Sequence, residues 1–184
     1  MGKTTISNAF YQEAKENFCA AGILFTCLKS ASRNQKDGGE SGRQQRGSSL
    51  FVLLQMAVEK LCKASYARQT GGKKMPPYDH DLNLLMTIAM RNPSLKDFFE
   101  KSNPIAYNFL MNELNPLQPS NAGRNRENLE YPWITKGNKV KYPSRDLNLI
   151  QKYLHDPRNR NLELIMGKLK EFFLSFNEMM HADL

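Results

Sequence analysis

Arginine and glutamate side chains lie close together in the second half of the chain, where they could act on a phosphate group. Residues 124–130 read Arg-Asn-Arg-Glu-Asn-Leu-Glu, so Arg124, Asn125 and Arg126 are followed by Glu130. A guanidinium can bind phosphate through two parallel hydrogen bonds, but it cannot exchange a proton near pH 7. Glu130 could supply a base if burial raised its pKa. The other interpretation is a solvated turn with surface ion pairs, and both stay open.

His80 is the other candidate for moving a proton. As a general base it would have to converge with Arg124 across the fold. A histidine just before a helix more often caps that helix or packs against the adjoining loop, and we favour this structural role. His80, His155 and His181 are too scattered for a metal site. We therefore expect no metal and no other cofactor.

Aromatic and cationic side chains follow one another after the arginines. Tyr131 and Trp133 precede Lys136 and Lys139. Rings between cations can stack a base and hold its phosphate, so these four residues, with residues 124–126, form the predicted nucleotide- or RNA-binding set. The alternative is that Trp133 closes one end of the fold. Serine and cysteine nucleophile motifs are not found in the sequence.

Length and charge set the broad class. With 184 residues the chain is expected to form one domain, and its formal charge of +8 favours an anionic partner such as nucleic acid, nucleotide phosphate or an acidic protein. The alternative is a basic surface without a specific partner. The longest apolar run, near residues 20–25, is too short to span a bilayer, so we expect no membrane contact.

The three cysteines favour a reducing compartment. Cys19, Cys27 and Cys62 form an odd set without a Cys-x-x-Cys pair, which argues against a disulfide framework and a zinc site. All three stand among apolar residues in predicted helices. We expect reduced, buried cysteines in a cytoplasmic protein.

Helical periodicity predicts an all-α, up-and-down bundle of four or five main helices with additional short ones. The first helix covers residues 7–30, and a central helix, apolar over more than half its circumference, begins after Ser48 or Ser49 as N-cap. Gly71-Gly72 should end this helix, and Asp79 or Asp81 should cap the next, at 82–90. A short helix is predicted from residue 95, and further helices are predicted at 104–114, 145–155 and 158–181.

Two stretches are predicted to lack regular structure. Residues 31–47 hold four glycines and no large apolar residue, and should form a flexible basic loop. Arg33, Lys36, Arg43 and Arg46 could grip phosphate from this loop, although a plain surface linker is the favoured interpretation. Residues 133–144 are expected to be irregular, and no segment alternates well enough for a strand.

The order of these elements resembles the HEPN superfamily over about residues 7–180. Residues 57–64 read Ala-Val-Glu-Lys-Leu-Cys-Lys-Ala, a loop with Pro76 and Pro77 follows, and residues 80–82 read His-Asp-Leu. HEPN proteins typically carry such a helix, then Pro-x-x-His-Asp-Leu. Their active site has an arginine, often followed by asparagine, a histidine a few residues on, and a nearby tyrosine. This chain has Arg124-Asn125 and Tyr131-Pro132, but no histidine between them.

The resemblance implies a HEPN-like helical domain that binds a nucleotide or RNA. Family members that cut RNA use the histidine for proton transfer, so its absence here implies binding without cleavage. The resemblance also implies a homodimer and a small nucleotidyltransferase partner. Two alternatives are kept: a toxin-like, metal-independent ribonuclease that uses Arg124 with Glu130 or His80, and a protein–protein interaction or dimerisation module.

Overall fold

The structure is a computed structural model that describes residues 3–33, 40–76, 80–117, 127, 133–135, 137–155 and 160–181. Helices dominate these residues, which confirms the all-α fold class. The longest are α1 (Lys3–Arg33), α2 (Glu40–Gln69) and α8 (Asn161–His181).

Shorter helices fill the space between α2 and α8. They are α3 (Leu82–Ala89); α4 (Pro93–Asp97), which continues as the π-helix Phe98–Ser102; α5 (Pro104–Asn108), which continues as the π-helix Phe109–Leu114 and the 3₁₀ turn Asn115–Leu117; α6 (Pro143–Asp146); and α7 (Asn148–Ile150), which continues as the π-helix Gln151–His155. Two short strands, β1 (Trp133–Ile134) and β2 (Val140–Lys141), pair antiparallel.

Helix α2 is the centre of the fold, as its apolar sequence predicts. Its buried side chains point in several directions around the axis, and they include Leu50, Phe51, Leu54, Ala57, Val58 and Leu61. Helix α1 runs antiparallel along it. The Ser7 hydroxyl near the start of α1 donates to the carbonyl of Ala64 late in α2 at 2.9 Å, and Lys60 pairs with Glu13 at 2.7 Å.

Helix α8 covers a second side of α1 through aromatic rings. Phe18 stacks on Phe173 with ring centroids 4.5 Å apart, and Tyr11 stacks on Phe176 at 5.3 Å. The Tyr11 hydroxyl also donates to the Phe173 carbonyl at 2.9 Å. The apolar sides of both helices meet here, with Phe173 and Phe176 buried and Tyr11 and Phe18 packed against the core.

The ends of α2 and α3 follow the predicted capping chemistry. Gly71 and Gly72 have φ values of 58° and 71°, a left-handed conformation that favours glycine, and the Gly72 amide closes α2 on the Ala67 carbonyl at 2.7 Å. The Asp81 carboxylate caps α3 by accepting the Asn83 amide at 2.9 Å. Asp79 lies outside the described residues.

The connection between α1 and α2 is shorter than predicted. Helix α1 continues to Arg33 and α2 begins at Glu40, so residues 31–33 and 40–47 of the expected loop are helical, and 34–39 lie outside the described residues. The prediction that Ser48 or Ser49 caps α2 is wrong, since both lie inside the helix. The glycines and the lack of apolar residues favour a loop here, but the glutamine, arginine and glutamate residues are good helix formers.

Gly47 has a packing role inside α2. A Cβ placed on it would lie 2.9 Å from Leu154 Cδ1 and 3.1 Å from Ile150 Cγ1. Real Cβ atoms do not approach other atoms so closely, so a side chain here would force its neighbours to move. The glycine therefore lets the segment 148–155 pack directly against the α2 backbone.

Residues 135, 137–139 and 142 lack helix and strand, as predicted for 133–144, but residues 133–134 and 140–141 form two short strands that were not expected, and α6 begins at Pro143. Trp133 pairs with Lys141 and Ile134 with Val140 in a small ribbon, which was missed because each strand has only two residues. The predicted helix 145–155 instead begins at Pro143 and is interrupted at Leu147, whose extended backbone (ψ 124°) separates α6 from α7.

The cysteines divide into two environments. Cys62 on α2 is buried as predicted, but Cys19 and Cys27 on α1 are exposed. Their apolar sequence neighbours pack on α2 and α8, whereas the two cysteines fall on the remaining side of α1. Within the described helices, none combines the length and apolar character that a membrane crossing requires.

Candidate functional site

Most of the predicted binding residues lie outside the described part of the chain. These are Arg124, Asn125, Arg126, Tyr131 and Lys136, and the candidate base Glu130 also lies outside it. Their convergence with one another, and with His80, stays a prediction. Trp133, Lys139 and His80 are described.

Trp133 and Lys139 belong to the β1–β2 ribbon. The Thr135 amide donates to the Lys139 carbonyl at 3.0 Å, and the Lys139 amide donates to the Thr135 hydroxyl at 3.3 Å. Asn138 takes a left-handed conformation (φ 56°) that closes the turn. The tight turn leaves the Lys139 side chain exposed at the tip of the ribbon.

A second polar cluster joins α2 to the start of α3. The Glu59 carboxylate is bonded at both oxygens: Lys63 Nζ lies 2.8 Å from Oε1, and His80 Nδ1 lies 2.9 Å from Oε2. The side chain of Glu59 is only 5% exposed and that of Lys63 9%, whereas that of His80 is 67% exposed. A buried ion pair therefore carries an imidazole at its solvent edge.

Local structure explains why these three residues meet. Glu59 and Lys63 are four residues apart on one helix face, where side chains of opposite charge reach each other. The Gly71-Gly72 end of α2 turns the chain back, and Asp81 caps α3 immediately after His80. The backbone of α3 is further held by the Leu82 amide, which donates to Asn115 Oδ1 at 2.9 Å.

The thiol beside this cluster is not a nucleophile at neutral pH. Burial and, to a lesser degree, the neighbouring Glu59 carboxylate raise the pKa of Cys62, Lys63 opposes them, and the net value is about 12. Thiolates are the reactive form of cysteine. The Cys62 sulfur lies 3.4 Å from the Met86 sulfur in the core, so its contribution is packing.

The geometry gives His80 one possible chemical role. Its Nδ1 faces a buried carboxylate, which orients the ring and leaves Nε2 toward solvent. In that arrangement the Nε2 atom of His80 can donate a proton to an anionic ligand or accept one from it. The cap of α3 is Asp81 and not His80, and the expected packing of His80 against its loop stays a prediction.

Sequence reasoning did not single out Glu59 and Lys63. The available signal was two charges four residues apart in a helix that is otherwise apolar on most sides, since charges in such a helix must be paired.

Glu127 is the described member of the predicted arginine segment, and it has a structural role. Its carboxylate accepts the backbone amide of Asn148, at the start of α7, and the Asn148 side-chain amide at 2.6 Å. Burial raises the pKa of Glu127, and the two hydrogen bonds from Asn148 oppose that rise. Both oxygens are occupied, so Glu127 fixes the segment to α7 and does not act as a free base.

The described lysines separate into paired and unpaired sets. Eight have a carboxylate within 4.0 Å: Lys29, Lys60, Lys63, Lys96, Lys101, Lys141, Lys152 and Lys168. Five others have no such partner among the residues that the structure describes, and all are exposed: Lys15, Lys73, Lys74, Lys139 and Lys170. Lys73 and Lys74 share the α2–α3 connection with His80, and we call these three residues the α2–α3 basic surface.

Within the described ranges, no group of three or more histidine, cysteine, aspartate or glutamate side chains is placed to hold a metal ion. No protein-family model, curated protein or solved structure matches this chain.

Proposed function

We propose that this chain is a HEPN-like helical domain that binds a nucleotide or RNA without cutting it. Binding uses the α2–α3 basic surface together with the segment from Arg124 to Lys139. The family assignment rests on the resemblance in sequence, and the exposed lysines of the α2–α3 connection support the choice of this surface.

The observation that carries the proposal is the distribution of unpaired lysines. Most described lysines are already neutralised by a carboxylate, whereas five exposed ones have none in the described part of the chain. Lys15 and Lys170 lie on the long helices α1 and α8, while Lys73, Lys74 and Lys139 lie in the connections that hold the candidate residues. Unpaired surface cations attract phosphates and release counterions when they bind them. Lys73 and Lys74 belong to the same α2–α3 connection as His80, whose ring is held by Glu59.

Titration with ATP, GTP and a short single-stranded RNA tests this proposal. The informative variant is Lys73→Ala/Lys74→Ala. If each lysine contacts one phosphate, the slope of log K against log salt for the RNA falls by about 0.7 per lysine, roughly 1.4 in total. The matched control is Lys96→Ala/Lys101→Ala, which removes two exposed lysines that already have carboxylate partners. No binding of any ligand by the wild-type chain contradicts the proposal.

A second function, the metal-independent ribonuclease, is favoured by one specific observation. His80 Nδ1 lies 2.9 Å from the buried Glu59 carboxylate, which leaves the other ring nitrogen open to a substrate. In this mechanism His80 exchanges the proton, and Arg124 stabilises charge on the phosphate.

Cleavage of RNA in EDTA separates the two functions. The ribonuclease requires cleavage that survives the chelator and is lost in both Arg124→Ala and His80→Gln. His80→Gln retains a hydrogen-bond donor for Glu59 but cannot exchange a proton near neutral pH. Binding without cleavage by the wild-type chain excludes the ribonuclease and leaves the binding domain.

The proposal extends to assembly as a homodimer beside a small nucleotidyltransferase, both of which rest on the resemblance. Sedimentation over a range of concentrations tests the homodimer. Co-expression with candidate nucleotidyltransferases, followed by purification on a tag carried by this chain, tests the partner.

A further inference from the structure

Helices α2 and α3 run in the same direction, and their C-terminal ends lie side by side. Three contacts fix this arrangement, and in order along both helices they are Glu59 Oε2 to His80 Nδ1 at 2.9 Å, Cys62 Sγ to Met86 Sδ at 3.4 Å, and the Gln69 amide to the Ala89 carbonyl at 3.1 Å. The α2–α3 connection therefore returns along α2 before α3 starts, and the residues that follow each helix meet at one end of the molecule.

Three cations stand at this shared end. Lys73 and Lys74 follow the turn that closes α2, and Arg91 follows Met90, the C-cap of α3. All three side chains are exposed, and none has a carboxylate within 4.0 Å in the described part of the chain. We call Lys73, Lys74 and Arg91 the α2–α3 end cluster. Their convergence depends on the Gln69 contact and is not visible in the sequence, where Arg91 stands far from the lysines.

Helix dipoles account for only part of this charge. Helix α8 also ends here, since the Ser65 hydroxyl on α2 lies 3.7 Å from Met180 Sδ. Each of the three C-termini carries about half an elementary negative charge, or about 1.5 in total, which the three cations exceed. Glu178 precedes Met180 by two residues, so its side chain points to the side of α8 away from α2. The end cluster therefore keeps positive charge that can attract an anion.

The distance from the end cluster to His80 limits the kind of anion that can contact both. Gln69, beside the cluster, is ten residues from Glu59, which holds His80. That separation is about 15 Å along α2. A mononucleotide carries its phosphates in one short chain, whereas a single strand carries one at every nucleotide. With an advance of about 3.4 Å per nucleotide, about four to five nucleotides cover this distance.

We propose that the α2–α3 end cluster is a phosphate-binding subsite for a single-stranded RNA, whose backbone continues along the α2–α3 connection to His80. The inference rests on the proposed function and deepens it, because it adds Arg91 to the surface and selects an oligonucleotide over a mononucleotide. The Arg91 guanidinium can donate two parallel hydrogen bonds to one phosphate. Lys73 and Lys74 act as point charges on the neighbouring phosphates.

Fluorescence anisotropy with labelled oligouridylates, from the dimer to the octamer, tests the subsite and the ligand length. Unlabelled uridine monophosphate serves as a competitor. The affinity of the wild type is expected to rise steeply up to a length of about five nucleotides and little beyond it. Arg91→Ala should weaken binding of the hexamer by about tenfold. It should also lower the slope of log K against log salt by about 0.7, whereas Arg91→Lys keeps the charge and the slope.

The matched control is Arg160→Ala. Arg160 is also exposed and has no carboxylate partner among the residues that the structure describes. It precedes α8, and twenty residues separate it from Met180, which is about 30 Å along the helix. The control thus removes the same charge far from the end cluster. It is expected to leave both the affinity for the hexamer and the salt slope unchanged.

Four outcomes contradict the inference, and each has a different meaning. Equal losses in Arg91→Ala and Arg160→Ala indicate a diffuse charge effect and remove the subsite, while RNA binding stands. Equal affinities for uridine monophosphate and the hexamer remove the oligonucleotide, while nucleotide binding stands. Binding of the wild type to phosphatidylserine vesicles, but to no RNA, assigns the end cluster to a lipid surface. If the wild type binds no RNA, no nucleotide and no vesicle, the proposed function falls together with the subsite.

Discussion

Replacing Lys63 by methionine tests the buried cluster most directly. The Glu59 carboxylate is 5% exposed and depends on Lys63 at 2.8 Å and His80 at 2.9 Å. Methionine keeps much of the length and apolar contact of the lysine stem but removes its charge. The carboxylate then remains buried with only an imidazole at its solvent edge.

The expected loss is large relative to the stability of a domain. Removing one partner of a buried ion pair costs about 3–5 kcal/mol, because the remaining charge is desolvated and uncompensated. His80 still bonds to Glu59, so we expect the lower end, about 3 kcal/mol. Domains of this kind are stable by about 5–15 kcal/mol.

The double variant Glu59→Leu/Lys63→Met should recover most of that loss. It removes both charges and fills the site with apolar groups, a change that is often neutral for buried pairs. We expect it within about 1 kcal/mol of the wild type. His80→Ala should cost about 1 kcal/mol or less, since the ring is mostly exposed.

Urea unfolding followed by far-UV circular dichroism provides the measurement, with midpoints compared at constant m-value. The matched control is Lys101→Met, which breaks an ion pair with the same four-residue spacing but with side chains 72% and 56% exposed. That control should cost about 0.5 kcal/mol or less. The reasoning fails if Lys63→Met costs no more than Lys101→Met, or if the double variant is as unstable as the single one.

Three further predictions concern stability. Gly47→Ala should lower the unfolding free energy by about 1 kcal/mol, because crowding by Leu154 and Ile150 outweighs the gain in helix propensity. Its control, Gly167→Ala, places a Cβ in open space and should raise the unfolding free energy by about 0.5–1 kcal/mol. Both changes are measured from urea midpoints. The pKa of Cys62 is raised from 9.0 to about 12, so between these pH values the native state keeps a proton that the unfolded chain loses. The free energy of unfolding should therefore fall with rising pH by about 1.4 kcal/mol per pH unit. Urea curves at pH 8–10.5 should show this dependence for the wild type and lack it for Cys62→Ala. Asp81→Ala removes the cap of α3 and should cost about 1 kcal/mol by the same assay.

The main helices could be predicted because their signals are local and strong. The face with Ala14, Ala21 and Leu28 on α1 repeats at helical spacing and is buried, and glycine and aspartate marked the ends of α2 and α3. The start of α2 could not be placed, because its first turns lie beyond the apolar pattern. Helix propensity then decides where α2 begins, and Ser48, a residue type that often caps helices, pointed to a start that is too late.

Exposure of the cysteines could not be read from apolar neighbours. The buried face of α1 could be predicted, but residues 17–28 are uncharged on every side, so no charged residue marked the side that stays exposed. Only the ring contacts of Phe18 and Tyr11 fix the orientation and leave Cys19 and Cys27 outside. The β1–β2 ribbon escaped prediction because two-residue strands have no detectable alternation.

The candidate site shows how a sequence pattern can have a geometric cause. Glu59 and His80 entered the comparison with HEPN proteins as two separate pieces of a motif, 21 residues apart. In the fold they are in contact, because the chain reverses direction at Gly71-Gly72 and α3 starts next to Glu59. A carboxylate buried in the central helix needs partners, and the lysine one turn on and the histidine before α3 are the groups that reach it. Glu59 needs these partners whether the surface binds RNA or cuts it. The sequence pattern of Glu59 and His80 is therefore evidence for the packing of α2 against α3 before it is evidence for an activity. The activity depends on whether the solvent-facing side of His80 and the lysines of the same connection meet a phosphate.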